Sequence, residues 1–187
     1  MAMKSKRASA PVWAFAAAVA LGCGLAWPAA AQISLGPVTI GSPGDPPRFA
    51  LGAGAFDVLP STHRDSATAG ELRGEYRLPT VAWIISPFVG SSGTSRGAFY
   101  GYGGFGIDVN FTPNWVLTPN VAGGYFARGG GTNLGSWWEF RSGAELDYRL
   151  PNAMRVGVAF QHMSNAGLTQ RNPGEESATL VLSVPVP

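Results

Sequence analysis

"SWWEFRSGAELDYRL", Ser136 to Leu150, alternates with a period of two along its whole length. Glu139, Arg141, Glu145, Asp147 and Arg149 share one face, while Trp138, Phe140, Ala144, Leu146, Tyr148 and Leu150 share the other. That period belongs to an extended strand, whose successive side chains point to opposite sides. "GELRGEYRL", Gly70 to Leu78, repeats the scheme: Glu71, Arg73, Glu75 and Arg77 oppose Leu72, Tyr76 and Leu78. A soluble sandwich would bury the apolar face and wet the charged one. A small membrane barrel inverts this, with lipid outside and mutually compensating charges within. Alternation alone allows both.

The first residues favour the inversion. Lys4, Lys6 and Arg7 precede the apolar run "PVWAFAAAVALGCGLAW", and "PAAAQ" supplies a small-residue cleavage site between Ala31 and Gln32. This predicts a signal peptide over 1–31 that is removed on export. A retained anchor is the competing reading, since the run approaches bilayer length. Lipid modification at Cys23 is disfavoured because Ala20 stands three residues back, where a larger aliphatic would be expected. Both lysines and the single cysteine lie in the leader, so residues 32–187 carry only arginine as a strong base and form no internal disulfide. No polybasic tract points to nucleic acid. The length suits one domain.

Residues 32–187 divide into eight runs of strand length with no helical period: 48–57, 68–78, 80–90, 98–111, 115–127, 136–150, 153–164 and 176–186. The connections "RLPT", "FTPNW" and "RLPNA" are short and proline-marked, whereas "DVLPSTHRDSA", "SSGTSRG", "RGGGTNLG" and "SNAGLTQRNPG" are longer and polar. Short turns at one end and long loops at the other are the wiring of an outer-membrane barrel. The expected fold is all-β, an eight-stranded antiparallel transmembrane β-barrel. Pro185 and Pro187 cannot donate to a ladder, which puts the last residues at a strand edge or beyond the sheet.

Parity then locates the one polar cluster with chemical content, "AFQHMSNAGLTQRNPGEES", Ala159 to Ser177. Met154, Val156, Val158 and Phe160 form the lipid-facing row of the seventh run, and His162 and Ser164 continue it. Glu176 heads the apolar row Ala178, Leu180, Leu182 and Val184 of the eighth. Pairing His162 with Glu176 sets Phe160 against Ala178 and Val158 against Leu180, so apolar meets apolar without a parity violation. Residues two apart on a strand are separated by about 6.6 Å, a gap an imidazole can span. The set reads as Ser164 nucleophile, His162 base and Glu176 orienting acid. Asn165 and the amides around Ala166-Gly167 are the expected oxyanion donors, with Asn172 in reserve. Glu175, of opposite parity, is the weaker choice of acid. The bland alternative makes His162 an interface residue and Ser164 to Gly167 a turn. Polar groups converging on a lipid-facing row are costly without a function, which favours the catalytic reading. His63 has no such company and reads as solvated.

"QHMSNAGL" followed by Glu176 resembles the lipid A 3-O-deacylase (PagL-type) family of outer-membrane enzymes, which have eight-stranded barrels and a His-x-Ser-Asn motif. The resemblance implies His162 as base, Ser164 as nucleophile, Glu176 as third member and Asn165 as oxyanion aid. It implies lipid A of lipopolysaccharide as substrate, among outer-membrane lipids, with the site at the outer leaflet. Outer-membrane phospholipases A carry a similar motif on a twelve-stranded barrel that this chain is too short to build. The non-catalytic alternative is a small structural or adhesive barrel. One arginine falls in each long loop, Arg64, Arg96, Arg128 and Arg171, where lipid phosphates could be gripped. Arg171 is the foremost candidate, with Phe160 as an acyl contact. Trp137, Trp138 and Tyr125 at one end and Trp83 and Trp115 at the other read as aromatic girdles. No metal-ligand cluster occurs, so no cofactor is expected; calcium between acidic loops and lipid phosphates, and a homodimer, are left open.

Overall fold

The computed structural model describes residues 32–59, 67–82 and 84–186. The expected leader, His63, Arg64, Trp83 and Pro187 lie outside them. The strands are β1 (Ile33–Leu35), β2 (Val38–Ile40), β3 (Arg48–Phe56), β4 (Ala69–Arg77), β5 (Ile85–Thr94), β6 (Phe99–Ile107), β7 (Val109–Asn110), β8 (Trp115–Ala127), β9 (Trp138–Arg149), β10 (Arg155–Ser164) and β11 (Glu175–Pro185). Eight of them, in the spatial order β8-β6-β5-β4-β3-β11-β10-β9, close on themselves through the β8–β9 pair. Every pairing is antiparallel, and β3 meets β11, so both ends of the barrel sequence leave at one rim. Closure removes the free edges that an open sheet would present.

The inversion expected from alternation is present. Leu72, Leu180 and Val158 on the outer face are 70%, 69% and 53% exposed, whereas Glu75, Glu145 and Asp147 within are 3%, 1% and 0% exposed. Such an exterior suits hydrocarbon, and within the lumen an arginine–glutamate network pairs much of the charge. Glu75 receives hydrogen bonds from Arg77 at 2.8 Å, Arg141 at 2.8 Å and the Tyr102 hydroxyl at 2.8 Å. Arg77 also donates to Glu145 at 2.6 and 2.8 Å. The Arg141 guanidinium lies 4.0 Å from the centre of the Tyr102 ring. The lumen also holds an apolar cluster of Phe56, Phe88, Tyr100, Phe126 and Met163, with Leu134 of the β8–β9 loop inserted among them.

Three expectations need correction. The third strand begins at Ile85, not Thr80, because Pro79 and a left-handed Ala82 (φ 43°) extend the turn. It continues to Thr94, so "SSGT" is strand and the connection to β6 is a tight turn. The serine and threonine hydroxyls and the bare glycines there conceal the strand, which Glu71–Arg77 of β4 holds by register. A further hairpin, β1–β2, pairs through β2 with β7. The segment after it crosses the terminal rim, where Asp45 bridges Arg48, Arg149 and Arg155. Pro185 is the last residue of β11, opposite Arg48, in keeping with a residue that cannot extend a ladder.

Candidate active site

Strand β10 presents Val156, Val158, Phe160 and His162 to the outside while Arg155, Ala159, Gln161 and Met163 face in. Its register with β11 pairs Val158 with Leu180, Phe160 with Ala178 and His162 with Glu176, as the side-chain pattern requires. A slip of one residue would turn either apolar row into the lumen. His162 Nδ1 and Glu176 Oε1 are 3.1 Å apart, on side chains 47% and 20% exposed. Ser164 follows in the same row, beside Phe140 of β9. Glu175 points inward, 1% exposed, and its Oε2 accepts the Asp57 amide at 3.2 Å, so it stands on the other side of the wall from His162.

With Nδ1 committed to the carboxylate, Nε2 is the nitrogen left for a proton from Ser164. That edge of the ring lies against Gly174, whose φ is +66°. A Cβ there would fall 2.7 Å from His162 Cε1. Both the backbone conformation and the space demand glycine. If His162, Ser164 and Glu176 act as the expected triad, Gly174→Ala should push the ring off Glu176 and lower ester hydrolysis about 100-fold, as displacement of a reacting group by an ångström can do. Initial rates on protein shown to be folded by heat-shifted gel mobility check this.

The expected oxyanion donors are redistributed. Asn165 is fully buried and turned inward. Its Nδ2 donates to Leu134 O at 2.9 Å, Thr169 Oγ1 at 3.0 Å and Arg171 O at 2.7 Å, while its Oδ1 accepts Gly167 N at 3.0 Å. The Asn165 carboxamide and the Gly167 amide thus hold the β10–β11 loop in shape and are not free for an oxyanion. Parity explains it: an odd-numbered residue after Met163 continues the inward row. Asn172 accepts Asn165 N through Oδ1 at 3.0 Å, and its Nδ2 makes no hydrogen bond among the described residues. The Ala166 amide is likewise uncommitted among them, and Ala166 lines one groove with His162 and Ser164.

That groove, about 650 Å³, opens on the outer face and was not legible beforehand. From Ser164 it runs over Phe140 and Ser142 of β9, Val121 and Gly123 of β8, and Gly103 and Phe105 of β6. Phe160, the expected acyl contact, stands outside it, on the row facing Ala144 and Ala178. The missed signal was outward-facing glycine: Gly103 and Gly123 are paired, and their missing side chains make the floor. Arg171 is exposed, with Nε donating to Asn133 O at 2.9 Å. Trp137, Trp138, Phe140 and Tyr125 form one ring cluster at the loop end, and Trp115 packs edge-on to Tyr148 at the other, as two girdles would.

The sequence model of the lipid A 3-O-deacylase (PagL) family matches residues 71–185. No functionally curated protein matches the sequence. In three dimensions the chain is similar to the crystal structure of the outer membrane enzyme PagL, with a TM-score of 0.60 at 22% identity, covering 74% of this chain and 99% of that one. At that identity the likeness shows a shared fold. A de novo designed transmembrane β-barrel matches at TM-score 0.46 and 14% identity, over 76% of this chain and 98% of its own. The Yersinia pestis outer membrane protein Ail matches at 0.48 and 9%, over 76% and 100%.

Proposed function

The chain belongs to the lipid A 3-O-deacylase (PagL) family, and from that membership we propose that it is a serine esterase of the outer membrane that removes the 3-O-linked hydroxyacyl chain of lipid A. The observation that carries this reading is the 3.1 Å contact between His162 and Glu176 on a lipid-facing row, with Ser164 next in that row and an apolar groove leading from it. A polar triplet there has no packing role, and unpaired polar groups facing lipid cost free energy. The signal peptide read over 1–31 would export the chain, and the loop end would face outward.

In this mechanism Ser164 Oγ attacks the ester carbonyl as His162 Nε2 takes its proton. Glu176 holds the imidazole tautomer and stabilises the imidazolium. The carbonyl oxygen becomes an oxyanion, for which the Ala166 amide and Asn172 Nδ2 are the available donors. Collapse breaks the bond to the sugar oxygen, which takes the proton from His162 and leaves as a hydroxyl. Water, deprotonated by His162, then cleaves the acyl-Ser164 ester, releasing the hydroxy fatty acid and restoring the serine. No hydrogen bond joins His162 to Ser164 in the free protein; catalytic contacts often tighten only with substrate bound. No step requires a cofactor.

Expression in a host that makes lipid A, followed by mass spectrometry of the lipid, tests the reading. Loss of one hydroxyacyl chain supports it; an unchanged acyl count with folded protein refutes it, and release of phospholipid acyl chains would make the enzyme a phospholipase. The groove gives a second expectation. A Cβ on Gly123 would lie 3.4 Å from the Phe140 ring, so Gly123→Leu should fill the floor. Its kcat/KM on long-chain esters should fall at least about tenfold relative to short-chain ones, measured with a series of p-nitrophenyl esters.

A further inference from the structure

Three connections frame the groove at the loop end: the turn 95–98 between β5 and β6, the loop 128–137 between β8 and β9, and the loop 165–174 between β10 and β11. They contain Arg96, Arg128 and Arg171 and neither aspartate nor glutamate. They also form one platform. Gly130 N donates to Arg96 O at 2.9 Å and Gly131 N to Arg128 O at 2.8 Å, while Arg171 Nε reaches Asn133 O. Gly129 has φ +52°, and a Cβ on it would fall 2.3 Å from Gly97 O, so the first two turns touch backbone to backbone. Arg96 and Arg128 therefore issue from adjoining turns.

Both are exposed, and neither guanidinium makes a hydrogen bond or ion pair with the described residues. In the lumen, by contrast, Arg48, Arg73, Arg77, Arg141, Arg149 and Arg155 all face carboxylates. Below the two turns come the outward rings Phe99 and Tyr125, then Gly103 and Gly123 of the groove floor. The order from the rim down is cation, aromatic, apolar groove, which is the order of headgroup, interface and chain in a lipid. Guanidinium forks match phosphate oxygens in both geometry and charge.

We propose that Arg96 and Arg128 form a binding site for the headgroup phosphate of the lipid whose acyl chain occupies the groove. The assignment rests on the reading of that groove as an acyl site. It makes the enzyme selective for phosphorylated amphiphiles over neutral esters, with Arg171 closing the far flank.

The test is binding in detergent micelles with a chelator present, on the Ser164→Ala background so that the probe is not consumed. The probes are bisphosphorylated lipid A, enzymatically dephosphorylated lipid A and inorganic phosphate. Arg96→Gln/Arg128→Gln is expected to raise the Kd for the phosphorylated lipid at least about tenfold and to leave that for the dephosphorylated lipid unchanged. Arg96→Lys/Arg128→Lys, which keeps charge and loses the fork, should fall between. Equal effects on both lipids, or none on either, would overturn the proposal. Inorganic phosphate binding as tightly as the lipid would assign the site to free phosphate and overturn the headgroup assignment. Should lipid A stay fully acylated in cells while this contrast holds, the deacylase reading fails and the phosphate site stands.

Discussion

On the proposed mechanism, Ser164→Ala is expected to reduce ester hydrolysis at least about 1,000-fold while leaving the barrel intact, because removing the nucleophile from a triad leaves only binding and oxyanion stabilisation. The substitution is structurally mild. Ser164 is half-buried at the last position of β10, and its hydroxyl makes no hydrogen bond among the described residues. Heat-shifted gel mobility should therefore match wild type, and the affinity for lipid should be retained. The readout is loss of one hydroxyacyl chain from lipid A with wild type and its persistence with the variant. Glu176→Gln should act less severely, since it retains a hydrogen-bonding group beside Nδ1 but loses the charge that stabilises an imidazolium. If Ser164→Ala protein still released the chain at the wild-type rate, another nucleophile would have to be sought.

Glu75→Ala is expected to cost stability, on the order of 3–5 kcal/mol, the usual penalty for leaving a buried charge without its partner. Glu75 is the hub of the lumen. It receives Arg141 at 2.8 Å, Arg77 at 2.8 Å and Tyr102 at 2.8 Å, with Arg73 Nε 3.7 Å away. Arg77 would keep Glu145, but Arg141 would lose the one carboxylate it pairs with among the described residues. Denaturant titration of the detergent-solubilised barrel should show a lower midpoint. Pairing Glu75→Gln with Arg141→Met should cost less than the sum of the single changes, with a coupling of about 0.5–3 kcal/mol. Additive costs would mean that the ion pair contributes nothing of its own. Catalysis on surviving folded protein should be little changed, because Glu75 faces the lumen and the proposed triad lies on the outer face.

Much of the architecture was legible because strand parity is a local property. Alternation in Ser136–Leu150 separates wall from lumen without knowledge of any neighbour, and seven of the eight strand positions follow from it within a few residues. The exception, β5, shows why: "GSSGT" carries no contrast between its faces, so only pairing with β4 reveals it as strand. The β1–β2 hairpin escaped for a related reason, being three residues a side and held by β7 and Asn110.

The same division runs through the site. His162, Ser164 and Glu176 share a face by counting, and their register follows from matching two apolar rows; the sequence by itself determined those. It could not decide what Asn165 does. A carboxamide next to the proposed nucleophile suggests an oxyanion donor, yet the side chain is turned inward and satisfied by Leu134, Thr169 and Arg171 from two loops. Nor could it reveal the groove, whose walls come from β6, β8, β9 and β10. Nor could it join Arg96 to Arg128, 32 positions apart and brought together by the contact of Gly129 with Gly97. Side-chain direction along a strand repeats every two residues and is written in the chain. Contacts between loops and the shape of a surface depend on which strands the closed barrel makes neighbours, and only the tertiary structure decides that.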